Sequence, residues 1–164
     1  MTEQVSVLGG QPFLRGLPAD CITRLAGTAR HINVPAGHRL FDEDMPARKF
    51  WIIDAGQVAL DALIPGVGRV VIERLGRGDV VGLSWLEPPY QFRYGAVTTQ
   101  PTQAYEFDAV AIRAACEQDP ALGYKLVTRF MAIALHRLQA TRARMIEARS
   151  SSDVGQARAS RAVG

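Results

Sequence analysis

Between Ile32 and Phe107 the sequence is a chain of short apolar runs, each closed by glycine or proline, with no helix-period segment between them. Ile32 and Val34 alternate with polar neighbours, and Pro35-Ala36-Gly37-His38 reads as a turn. Arg39-Leu40-Phe41 is a short strand and Asp42–Pro46 a polar loop. Phe50-Trp51-Ile52-Ile53 is a strongly apolar strand closed by Asp54-Ala55-Gly56. Gln57–Ile64 alternates, Pro65-Gly66-Val67-Gly68 makes a hairpin turn, and Val70-Val71-Ile72 returns. Leu75–Asp79 turns again; Ala96–Thr99 and Thr102–Phe107 are two more strands parted by Pro101. Parallel strands need long crossovers, and none is present. The expected class is therefore mainly β with flanking helices: an antiparallel jelly-roll barrel.

The flanks are helical. Leu17-Pro18-Ala19-Asp20 starts a short N-terminal helix carrying Ile22, Leu25 and Ala26, expected to end near Ala29–His31. Ala109–Glu117 is a second helix. Asp119-Pro120 opens a third, from about Ala121 to about Ala148, with Pro120 suited to the first helical position. On it Val127, Met131, Ala134, Leu138, Thr141 and Met145 follow at spacings of 4, 3, 4, 3 and 4, an a/d seam. Leu126, Phe130 and Ile133 form a neighbouring stripe. One stripe suits the chain's own barrel and the other a second copy, which points to a homodimer through the long helix. The competing reading is one wide buried face in a monomer. Residues 1–12 read as an N-terminal extension, 13–148 as the domain, and 149–164 as a disordered basic tail.

Charge is unevenly placed within a net +3. Lys125, Arg129, Arg137, Arg142 and Arg144 against Glu147 give the long helix +4, and the tail adds +2, leaving −3 for everything before Ala121. The basic character is that of a solvated helix face and tail rather than a nucleic-acid patch. No apolar run is long enough to span a membrane, and Met1-Thr2-Glu3-Gln4 lacks the features of a secretory signal. Cys21 and Cys116 read as reduced thiols, and the expected location is cytoplasmic. His31, His38 and His136 lie apart, without a nucleophile, P-loop or metal-ligand spacing, so no catalytic or metal site is expected.

Phe13–Leu17, Leu25-Ala26, Val34–Phe41 and Phe50–Leu60 together resemble cyclic nucleotide-binding domains, the sensor modules of catabolite-activator (Crp/Fnr-type) regulators and protein-kinase-A regulatory subunits. The resemblance covers Phe13 to about Ile146 and matches Gly37, Gly56 and Gly78 to barrel-corner glycines. It implies a phosphate-binding cassette in Gly78–Ala96, with Gly82, Leu83, Ser84, Trp85, Arg93 and Tyr94 as the ligand-binding candidates. In the family's cassette a short helix turns N–H groups to the cyclic phosphate, an arginine (matched by Arg93) pairs with it, and a glutamate accepts from the ribose hydroxyl. Leu83 stands where that glutamate belongs, and an unmet buried donor costs about 1–3 kcal/mol. Trp85 replaces a small residue and Tyr94-Gly95 replaces the small residues after the arginine; Trp85, Pro88-Pro89 and Tyr90 make a stiff aromatic surface that either stacks on a planar ligand or fills the pocket. The implied ligand is cAMP, cGMP or another small anion, with weak or absent cAMP binding expected.

Catabolite-activator-type regulators carry a helix-turn-helix after the long helix, for which the remaining residues are too few, which argues against sequence-specific DNA binding. The leading expectation is a stand-alone, dimeric sensor that signals to a protein partner through its C-terminal helix. The alternative is a dimerisation and docking scaffold with a plugged pocket.

Overall fold

The computed structural model describes residues 8–162, with side chains through residue 150. The chain divides into two units, the first ending at Lys125 and the second beginning at Leu126.

In the first unit, α1 (Ala19–Ala26) starts after Pro18 and stops at Gly27, short of the expected Ala29–His31, because Ala29 already begins β1 (Ala29–Val34). There follow β2 (Arg39–Phe41), β3 (Lys49–Ala55), β4 (Val58–Ile64), β5 (Gly68–Leu75), the two-residue β6 (Val80–Val81), a 3-10 turn at Ser84–Leu86, β7 (Gly95–Thr98) and β8 (Thr102–Asp108). The strands form two four-stranded sheets, β1-β8-β3-β6 and β2-β7-β4-β5, and every pairing is antiparallel. This is the jelly roll that the alternation and corner residues predict. Gly56 makes the β3–β4 corner at φ +93°, where a side chain would collide with Thr102 Cα at 2.7 Å.

Register decides what meets across the sheets, since paired residues share a face. In the first sheet Phe50 pairs with Phe107, and Ile52 with Tyr105. On that face Phe50 stacks on Phe107 at 4.7 Å and on Trp85 at 5.1 Å, all three buried. On the opposite face Arg30 and Trp51 both pair with Glu106. Here Phe41 of β2 stacks on Trp51 at 5.4 Å and on Phe92 at 3.6 Å. The N-terminal extension is in part integral to the domain: Leu8 is fully buried, and Gln11 Nε2 donates to Asp54 Oδ1 at 3.0 Å. Residues 1–7 of it lie outside the described residues.

Helix α2 (Ala109–Gln118) is capped by Asp108, whose carboxylate accepts from the Val110 and Ala111 amides at 2.9 and 3.0 Å. Helix α3 (Pro120–Ala162) opens with Asp119 accepting from the Leu122 amide at 3.1 Å. The disordered tail expected from Arg149 is instead helix as far as Ala162, a continuation that the alanines and arginines there favour locally. Leu126 and Phe130 are buried and Ile133 half-buried, whereas all six members of the a/d seam are exposed.

Candidate functional site

The cassette runs from β6 through the 3-10 turn to β7. Gly82 sits at φ +85°, and a Cβ there would approach Phe92 Cε1 at 3.1 Å and the Lys49 carbonyl at 3.4 Å, so the backbone needs glycine. Leu83 and Ser84 are half-buried at the head of the turn. Trp85 points into the core stack with Phe50. The turn is held from α2: Arg113 donates to the Trp85 carbonyl at 3.1 Å, and its guanidinium lies 4.2 Å over the Tyr90 ring. Arg93 and Tyr94 are exposed. Just before the bend at Arg93-Tyr94 the inward position belongs to Phe92, which is 4% exposed and closes the stack with Phe41 and Trp51. The candidates named from the sequence thus do not meet round one cavity: Trp85 faces the core, and Arg93 and Tyr94 face solvent.

Two charged clusters were not anticipated. Asp61, 3% exposed, lies 2.8 Å from Arg39 and 3.0 Å from Arg69 through its two carboxylate oxygens, and Arg69 also reaches Asp42 at 2.7 Å. The cluster rests against Gly95, where a Cβ would fall 2.5 Å from Asp61 Oδ1. Burial pushes the Asp61 carboxyl up, but the hydrogen bonds and charges of Arg39 and Arg69 outweigh it and hold the group below the usual carboxylate range. The available signal was a lone charge within the apolar run Val58–Ile64. In the second cluster Glu106 accepts from Arg30 at 2.6 Å and Lys49 at 2.9 Å on one oxygen, and from Trp51 Nε1 at 3.1 Å on the other. Burial opposes ionisation of Glu106, yet Lys49 and Arg30 keep its pKa low.

A depressed folded pKa stabilises the protein above the unfolded value and ceases to do so as pH falls towards the folded value. Urea midpoints should fall steeply below about pH 4 in the parent, the range where an unperturbed Asp takes up its proton. Asp61→Asn should be less stable at neutral pH and flatter across that acid range. An unchanged acid slope in Asp61→Asn would remove this assignment.

Among the described residues no group of His, Cys, Asp and Glu could hold a metal ion. Cys21 and Cys116 are free thiols, and burial pushes both up, away from the thiolate a nucleophile requires. No helix of the described residues is long and apolar enough to cross a membrane.

The model of the cyclic nucleotide-binding domain matches residues 31–119, from β1 to the end of α2. The chain belongs to the cyclic nucleotide-binding domain family. Its fold recurs in a protein from Geobacter metallireducens GS-15 described as cyclic nucleotide-binding, with a TM-score of 0.75 at 23% identity over 81% of this chain and 96% of that one. A cyclic nucleotide-binding domain from Methylobacillus flagellatus KT gives 0.73 at 18% identity over 89% and 82%. A mutant of the cAMP-binding acyltransferase from Mycobacterium smegmatis gives 0.67 at 20% identity over 84% of this chain but 41% of that chain. No curated protein matches the sequence. In this cyclic nucleotide-binding domain the segment read as the cassette carries an inward Phe92 beside an outward Arg93.

Proposed function

We propose that this cyclic nucleotide-binding domain is a regulatory, non-enzymatic sensor that works as a homodimer through α3 and reports to a protein partner through that helix. The observation that carries this reading is the seam on α3. Val127, Met131, Leu138 and Met145 are each about half exposed, at 46–54%, on a heptad-spaced stripe that a second copy would cover. A partner helix presenting the same stripe satisfies its own a/d positions at the same time.

A second reading, a docking scaffold, is favoured by the Phe41–Phe92 stack at 3.6 Å together with Leu83 at the ribose-acceptor position. Thermal denaturation with and without cAMP and cGMP separates the two. A ligand at 100 times its dissociation constant adds about 2.7 kcal/mol. The expected result is a small or absent shift with millimolar cAMP, and a gain with Leu83→Glu, which supplies a ribose acceptor. Tight cAMP binding that disappears in Arg93→Ala would instead mean that Arg93 turns inward on ligation and that the cassette works as in the family. No shift with either nucleotide, in the parent or in Leu83→Glu, would give the scaffold precedence.

A further inference from the structure

A cavity of about 690 Å³ is lined by β1, β2, residues 45–48, the start of β3, Phe92 and Glu106. None of Gly82, Leu83, Ser84, Trp85, Arg93 or Tyr94 lines it. We infer that this cavity is a binding site for a small aromatic anion, a planar ring bearing a carboxylate or a phosphate. It shares Phe92 with the cassette segment but none of the ligand-binding candidates, and the inference stands whether or not the cassette binds a cyclic nucleotide.

The volume lies inside the range of about 300–1,000 Å³ usual for small-molecule sites. One wall is aromatic: Phe41, Trp51 and Phe92 line the cavity, each only 3–4% exposed, and Phe41 stacks on both of the others, so the wall is fixed before a ligand arrives and only its narrow exposed part meets a ring. The rim is basic. Arg30, Arg48 and Lys49 line the cavity against a single carboxylate, Glu106. Glu106 binds Arg30 and Lys49 through one shared oxygen, so each cation spends one donor there and retains others. Those two side chains are 69% and 50% exposed, while Glu106 is 12% exposed and anchored from behind by Trp51 Nε1. The carboxylate thus fixes two cations at the mouth before any ligand arrives, which lowers the ordering cost of binding an anion. A cationic ligand would meet like charge, and a neutral ring would leave the rim's donors unused.

The test uses tryptophan emission. The chain has two tryptophans, so Trp85→Phe leaves Trp51 as the reporter, and calorimetry on the parent chain gives the same reading without a substitution. The probes are 5′-AMP and 2-naphthoate, which distinguish a phosphate-bearing from a carboxylate-bearing ring, with adenosine and 2-naphthalenemethanol as neutral counterparts. At least one anion should bind with a Kd below about 1 mM, and its neutral counterpart about tenfold or more weaker. Arg30→Gln/Lys49→Gln should weaken the anion about tenfold or more. Arg48→Gln, which leaves the Glu106 cluster intact, should weaken it several-fold. Failure of both anions to bind, equal affinity for the neutral counterparts, or unchanged affinity in the rim variants would overturn the assignment. So would loss of binding in Arg93→Ala, which would put the anion in the cassette.

Discussion

Replacing Leu138 with aspartate should convert the protein from a dimer to a monomer. Leu138 is 46% exposed in the single chain, so the fold has little stake in it. In the proposed dimer it sits at the middle of the seam, with Met131 and Ala134 before it and Thr141 and Met145 after. Burying a carboxylate there without a partner costs several kcal/mol, more than a two-helix interface spares, and a second carboxylate arrives from the other copy by symmetry. Sedimentation velocity on parent and variant reads the result directly, and circular dichroism checks that the helix persists. A parent that sediments as a monomer would refute the dimer, and with it the route proposed for signalling.

The second large effect separates two adjacent residues. Phe92→Ala should destabilise the domain by about 3–5 kcal/mol, the usual cost of truncating a buried phenylalanine. At roughly 2–4 °C per kcal/mol for a chain of this size, Tm should drop by ~10 °C. Arg93→Ala should stay within about 0.5 kcal/mol of the parent, as an exposed substitution does. The contrast follows from burial: Phe92 is 4% exposed and stacked on Phe41, and its neighbour faces water. Urea or thermal midpoints for the two variants suffice. Equal costs would mean that the inward and outward assignments at this corner are wrong, and that the cassette arginine is part of the interior after all.

Arg93 also marks the limit of what residue types can reveal. It is a cation after the Pro88-Pro89 loop and before β7, which the resemblance matches to the family's phosphate arginine. Matching by type cannot decide which of two consecutive residues points inward, because the path of the backbone into the bend at Arg93-Tyr94 and the neighbours packed there decide it. Trp85 is similar: an aromatic in a short turn reads equally as a ligand platform or a core side chain, and the stack with Phe50 and Phe107 makes it a core residue. The Glu106 cluster was invisible for another reason. Its members come from β1, β3 and β8, and Arg30 and Glu106 are 76 positions apart, so only the sheet register brings them together.

The sequence by itself determined the jelly roll, its corners and the long helix. These follow from local chemistry: period-two apolar runs, glycines required at positive φ as at Gly56, and Pro120 at a helix start. Helical spacing also set the stripe of Leu126, Phe130 and Ile133 apart from the seam of Val127 to Met145, but only the structure decided that the first is the buried one and that the two are not one wide buried face. Tertiary structure decided what the pocket region is made of. It put Phe92 rather than Arg93 inside, committed Trp85 to the core, buried Asp61 between two arginines, and gathered Arg30, Lys49, Trp51 and Glu106 beside one cavity. Those outcomes depend on strand register and on competition for a limited interior, where a large aromatic gains more from burial than an arginine without an acidic partner can offset.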